Sequence, residues 1–220
     1  MPRAPPHQLL RAATRREAHW QGPSHRAAGS PSGGSLAVRI RLVARQPAPS
    51  VISVTFPPTL HTARLTLNPY QQADEQDFVA LFQDTRVSQY MGDGPQPEAE
   101  DRALFHRVFG VYAERRFAVW AVRRGGRLVG HAEIKYTATV DGHEIIYALA
   151  ADQWGHGLGI ELARAIIGYG WNTLGLDQVH ATVDDANIGS SMLLQRLGFV
   201  HARNIAEDAG IVRVYTLARP

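Results

Sequence analysis

The sequence predicts one α+β domain built on a largely antiparallel sheet, and three observations carry that reading. Short runs with two-residue alternation are joined by turn residues at hairpin spacing. Other stretches keep the three-to-four-residue apolar spacing of helices. No internal repeat and no second apolar core stand out in 220 residues, about the length of one domain with an appendage. With 45% apolar and 20% charged residues, the chain has material for a sizeable core.

The pattern begins at Thr62. Arg64-Leu65-Thr66-Leu67 alternates as a short strand, and Asp74 opens an amphipathic run with Phe78, Leu81 and Phe82 on one face. Pro97 followed by Glu98 and Glu100 marks a helix start, because proline lacks an amide the first turn cannot pair and acids favour the helix's positive end. Ala103, Leu104, Val108, Val111 and Tyr112 continue it at helical spacing. Strands follow at 117–122 and 128–136 about a Gly125-Gly126 turn, then at 145–149 after Asp141-Gly142. A helix over about 159–172, a strand at 178–183, a helix over about 190–197 and strands at 199–203 and 211–217 complete the series.

Residues 1–58 are different in kind. Residues 1–50 hold eight arginines against one acid, Glu17, a net +7 in a chain whose total is +3, so the remainder is acidic by four. Proline, serine, glycine and arginine with few large apolar side chains cannot offset the entropy of ordering, and a disordered leader is expected before a domain at 59–220. A transit-like segment, or an upstream extension ahead of a start at Val51 or Val54, fits the same composition. Nucleic-acid binding is expected only weakly, through residues 1–50, where Trp20 is the one aromatic available for stacking.

The absence of cysteine removes disulfide frameworks, cysteine-based zinc sites and thiol nucleophiles, while leaving the redox compartment open. No run approaches the roughly 18 apolar residues of a membrane span, and Glu17, His19 and Gln21 interrupt the stretch after Arg15-Arg16. A cytoplasmic protein without membrane partners is the expectation.

Two motifs carry chemistry. Trp154-Gly-His-Gly-Leu-Gly159 stands between a strand and a helix, where glycines admit an anion to the backbone and unpaired helix amides attract it, so a diphosphate is the natural ligand. Ile160-Glu161 after the last glycine excludes the triphosphatase loop, and the glycine spacing and the place of Asp177 exclude the dinucleotide fingerprint. Alone, the cluster reads equally well as a backbone turn. Asn187-Ile-Gly-Ser190, with Leu193, Leu194 and Leu197-Gly-Phe199, reads alone as a capped helix with a glycine stop.

Taken in order, strand, glycine loop, helix, strand, Asn-x-x-Ser helix and Leu-Gly-Phe strand resemble the Gcn5-related N-acetyltransferase (GNAT) superfamily, and within it the RimJ/RimL branch. The resemblance covers about residues 62–217. It implies a mixed, mostly antiparallel central sheet flanked by helices, with splayed strands at the coenzyme site. It further implies acetyl-coenzyme A as co-substrate, no metal, and a primary amine, on a protein N-terminus or a small molecule, attacking directly in a ternary complex. Gly157 and Gly159 match the superfamily's loop glycines, and backbone amides of Gly155, His156, Gly157, Leu158, Gly159 and Ile160 are implied to hold the diphosphate. Leu149 and Ala151, at the end of the preceding strand, are implied to line the coenzyme. Asn187 is implied to steady the pantetheine arm, or else is a plain turn asparagine.

Trp154 departs from the superfamily's Gln/Arg, although Trp-Gly-x-Gly is a form the RimJ/RimL branch carries, and Leu194 stands where many members carry a tyrosine as acid for the leaving thiolate. Ser190, three residues after the asparagine, is the implied donor to the leaving thiolate, with a helix cap as its structural alternative. The base is sought at Glu133, which shares a strand face with His131 beside Lys135, or at Glu144 after His143. A solvated strand-edge acid is the alternative for each carboxylate, and Tyr147 reads as core. A silent acyl-coenzyme A-binding module and an RNA or ribosome-binding adaptor are the competing functions. A monomer or homodimer is expected.

Overall fold

The computed structural model describes residues 56–92, 94–207 and 210–220. The expected leader therefore lies outside the described residues except for its last three. Of these Pro57 is buried, and the Pro58 carbonyl accepts the Trp120 indole N–H at 2.9 Å.

The described residues form one eight-stranded sheet. Its strands are β1 (Leu60–His61), β2 (Thr66–Asn68), β3 (Ala118–Arg124), β4 (Arg127–Thr137), β5 (Gly142–Leu149), β6 (Gln178–Asp184), β7 (Val200–Glu207) and β8 (Gly210–Ala218). Their spatial order is β1-β2-β3-β4-β5-β6-β8-β7. Every neighbouring pair is antiparallel except β5 and β6, which run parallel. The parallel pair requires a crossover, and the helix α4 (Leu158–Asn172) supplies it.

The helices α1 (Glu75–Gln83), α2 (Thr85–Ser88) and α3 (Glu98–Glu114) come before β3, and α5 (Ile188–Arg196) joins β6 to β7. They divide between the two faces of the sheet, because strand alternation offers an apolar surface on each. On one face Phe78 and Phe82 of α1 and Phe105 and Val108 of α3 bury against Val119, Ala121, Leu128 and Ala148. On the other, Leu162 and Ile166 of α4 and Leu194 of α5 close over Ala132, Ile134, Ile145, Val179 and Ala181. Full burial of each such side chain contributes about 1.5–3 kcal/mol before entropy is counted.

The expected strands and all four expected helices are present. β1, α2 and the single turns of 3-10 helix at Gln72–Asp74 and Ala151–Gln153 were not predicted, each being too short for its period to register. β7 runs on to Glu207. α5 starts at Ile188, because the Asn187 side chain caps it by accepting the Ser190 amide at 3.0 Å. Ser190 is thus a first-turn residue and Asn187 takes the capping role. Among the described residues no helix is long and apolar enough to cross a membrane.

Candidate active site

The site begins with a break in the sheet. Ala150 N–H donates to Val129 O at 2.8 Å. Since antiparallel pairs alternate, Ala148, Ile146 and Glu144 belong to the ladder with β4, and Ile145, Tyr147 and Leu149 turn their backbone groups toward β6. There β5 and β6 pair only at Glu144 and His180, the closed end of the gap. The amide of Thr182, the next in β6 to face β5, donates instead to the Glu144 side chain at 3.1 Å. Beyond that point the two strands form no further ladder pairs, and the edge of β5 is left without a strand partner.

Two helix N-termini flank the mouth of that gap, because α4 follows the end of β5 and α5 follows the end of β6. Between β5 and α4 the chain passes through Ala151, half-buried in its 3-10 turn, to Trp154. The Trp154 ring is half exposed, and its indole N–H donates to Leu149 O at 2.8 Å, tying the loop back to the strand end. Gly155 (φ 78°) and Gly157 (φ 74°) are both left-handed, a conformation that side-chain-bearing residues avoid. Gly157 is the N-cap, so the amides of Leu158, Gly159 and Ile160 stand in the first turn without intrahelical acceptors. The Leu158 side chain is fully buried, which leaves only its backbone for a ligand. A Cβ on Gly159 would lie 2.6 Å from Leu193 Cδ1, so glycine there lets α4 meet α5.

The sequence reading missed a network behind this loop. Arg64, between β1 and β2, donates from Nη1 to His156 O at 2.8 Å and from Nε to Glu161 Oε2 at 2.7 Å. Glu161 Oε1 also accepts the Arg64 amide at 2.7 Å and the Thr62 hydroxyl at 2.5 Å. Burial alone would raise the Glu161 carboxyl, but these donors hold it below its ordinary value. No local spacing announces contacts between residues 92 to 99 positions apart.

Of the implied residues, Asn187 and Ser190 stand at the α5 side of the mouth. Ser190 is half-buried, and its hydroxyl has no hydrogen-bond partner among the described residues.

Glu133, two residues from His131 and paired with Ile146, and Glu144 share the parity of Ala148 and lie on the sheet face opposite α4. Neither is a solvated edge acid, because β4 and β5 are interior strands. Glu144 is 5% exposed and accepts from Thr137 Oγ1 at 2.9 Å, from the Thr182 amide and from the Thr182 hydroxyl. Glu133 pairs with Lys135 Nζ at 2.9 Å and with His131 Nε2 at 2.9 Å. A carboxylate only accepts, so this nitrogen carries the hydrogen. Burial opposes the Glu133 charge, yet Lys135 and His131 outweigh it and hold the carboxyl well below the usual range. His131 is itself buried among Phe78, Phe82 and Tyr70, with Nδ1 2.9 Å from the Tyr70 hydroxyl. Burial pushes the Tyr70 phenol up, so it keeps its proton. Tyr147 packs partly buried against the core, as expected. Among the described residues no three or more His, Asp or Glu side chains are grouped as a metal ion would need.

Comparison with known proteins agrees with this geometry. Residues 64–200 match the family model described as an acetyltransferase (GNAT) domain. An uncharacterized N-acetyltransferase p20 of Bacillus licheniformis is 27% identical over 166 residues, spanning 73% of this chain and 89% of that protein. The FsC-acetyl coenzyme A-N(2)-transacetylase of Aspergillus fumigatus is 26% identical over 161 residues, 68% of each chain. Among solved structures, an acetyltransferase from Agrobacterium tumefaciens superposes with a TM-score of 0.64 at 23% identity, covering 74% of this chain and 95% of that one. RimJ of Mycobacterium smegmatis, in complex with a coenzyme A disulfide, gives 0.64 at 16% identity over 74% and 88% of the chains. RimL, a ribosomal L7/L12 α-N-protein acetyltransferase in complex with coenzyme A, gives 0.63 at 11% over 73% and 97%. With a family model over most of the chain and a sheet parted beside a glycine-capped helix, the protein belongs to the GNAT acetyltransferase family and is an acetyl-coenzyme A-dependent N-acetyltransferase.

Proposed function

We propose that the cleft between β5 and β6 takes acetyl-coenzyme A and that the acetyl group passes directly to a primary amine, on a protein N-terminus or a small molecule, in the manner of the RimJ/RimL branch. The single observation that carries the reading is the parting of β5 from β6 at a mouth with a helix N-terminus on either side. Amides from Gly155 to Ile160 hold the diphosphate, the outward edge of Ile145, Tyr147 and Leu149 lines the pantetheine arm, and Ala151 and Asn187 border it. The bound co-substrate supplies an activated thioester. Amides of the parted β5 edge steady the oxyanion that forms on its carbonyl, and the Ser190 hydroxyl donates a hydrogen bond toward the leaving sulfur.

The amine enters from the α1/α3 face, where both candidate carboxylates lie. Glu144 is on the strand that borders the cleft, and Oε2, with Thr137 as its one donor, keeps a lone pair for a water that relays the proton. Glu133, one strand removed, supplies a fixed negative charge. Trp-Gly-x-Gly and Ser190 support the branch, as do RimJ and RimL among the structural neighbours.

The test is a screen of N-terminal peptides, small amines and aminoglycosides for gain of an acetyl group, read by mass, beside calorimetric titration of coenzyme A. Gly157→Val is expected to raise the coenzyme dissociation constant by tenfold or more with the fold kept, since a branched side chain cannot adopt φ 74° without strain. Unchanged affinity in folded Gly157→Val rejects the site. Tight coenzyme binding with no acetylated amine favours a silent binding module.

A further inference from the structure

Glu161 sits in the first turn of α4, four residues after the N-cap Gly157. A carboxylate there favours the helix dipole, yet it stands one turn from the amides assigned to a diphosphate, which like charge would repel. The structure answers that conflict with one side chain from 97 residues earlier in the chain. Arg64 places Nε and Nη2 each 2.7 Å from Glu161 Oε2, while its own amide and the Thr62 hydroxyl take Oε1.

The same guanidinium reaches the loop. Nη1 holds the His156 carbonyl at 2.8 Å, and Nη2 lies 3.8 Å from where a Gly157 Cβ would stand. A peptide unit is planar and trans, so the His156 carbonyl and the Gly157 N–H point in opposite directions. Fixing the carbonyl toward Arg64 therefore turns the Gly157 N–H away from it, in a stretch where glycines at 155 and 157 leave the backbone otherwise free to rotate.

We infer that Arg64 is a positioning residue for the coenzyme's diphosphate. It orients the Gly157 amide through the His156 carbonyl and cancels the Glu161 charge. The inference rests on the reading that the Gly155–Ile160 amides hold the diphosphate.

The test measures coenzyme A affinity by calorimetry for the full-length protein and for Arg64→Ala, Arg64→Lys, Glu161→Gln and the double variant Arg64→Ala with Glu161→Gln. In parallel it measures kcat/KM for acetyl-coenzyme A and for S-acetylpantetheine, which keeps the thioester and lacks the diphosphate. Arg64→Ala is expected to weaken coenzyme A binding by about tenfold to a hundredfold, the range of a lost charge-assisted contact. Arg64→Lys restores part of it, because lysine returns the charge without the fork that spans Glu161 and His156. The double variant binds more tightly than Arg64→Ala, because the bare carboxylate is gone. S-acetylpantetheine turnover changes by less than about threefold in every variant, whereas a generally damaged fold would lower both donors alike.

Equal losses with both donors, unchanged affinity in Arg64→Ala, or a double variant no better than Arg64→Ala each overturn the inference. If Arg64→Ala does not fold, Arg64→Lys against the two donors decides it by the same criterion. Failure of the unmodified protein to bind coenzyme A would sink the underlying site instead.

Discussion

Glu144 ends a strand pairing with its own side chain. Its carboxylate captures the Thr182 amide that would otherwise extend the β5–β6 ladder, and it holds the Thr137 and Thr182 hydroxyls as well. Glu144→Ala leaves the fixed Thr182 amide without its acceptor, at a cost of about 1–3 kcal/mol, while the partly buried Thr137 and Thr182 hydroxyls can turn to other acceptors. Glu144→Gln keeps an acceptor for Thr182, so its loss in denaturant unfolding is expected to be clearly the smaller, while turnover falls in both variants. Glu133 predicts a pH dependence. Its native pKa lies below the unfolded value of about 4.3, so its contribution is complete above that pH and disappears as pH falls through the lower native value. The stability gap between the wild type and Glu133→Gln is expected to be constant from neutral pH to about 5 and to shrink progressively below about 4.3. Urea midpoints across that range measure it, and a gap that widens in acid contradicts the assignment. The alternation of His131, Glu133 and Lys135 put these three on one face from the sequence alone. Their burial was not legible, because the covering rings of Phe78 and Phe82 come from a helix about fifty residues earlier.

At the scale of elements, α4 and α5 owe their relation to one missing side chain. The obstacle to a Cβ at Gly159 is the tip of Leu193, which can move, so Gly159→Ala is expected to fold with a modest loss of stability. Coenzyme affinity should fall as the two helix starts are pushed apart, and adding Leu193→Ala should recover a good part of it. Titration of the single and double variants checks this, and a double variant weaker than the single removes the steric account. Elements longer than one turn were legible because their periods could develop and because Pro97, Asn187 and the turn glycines punctuate them. The loop's partners were not, since Thr62 and Arg64 read locally as strand residues and Glu161 as a first-turn acid.

At the scale of the molecule, contacts with the body of the domain are already made at its first described residues, with the Arg115 guanidinium 5.9 Å from the Phe56 ring and Trp120 bonded to Pro58. Removal of residues 1–53 spares these contacts and is expected to shift the melting temperature by no more than a few degrees, whereas removal through Pro58 costs the Trp120 bond and lowers it further. Calorimetry of the two truncations separates them. The order of the glycine loop and the Asn-x-x-Ser helix made the architecture legible in the sequence, while the point at which the β5–β6 ladder stops is set by a side chain that takes the next amide, which no alternation pattern encodes. The β5 edge left beyond that point also makes the protein's stability a function of its surroundings. With acetyl-coenzyme A proposed to complete the hydrogen bonds of that edge, occupancy and folding are linked by mass action on that reading. At a coenzyme concentration a hundred times its dissociation constant the folded state gains about 2.7 kcal/mol. The amount of folded enzyme then follows the supply of its own acyl donor.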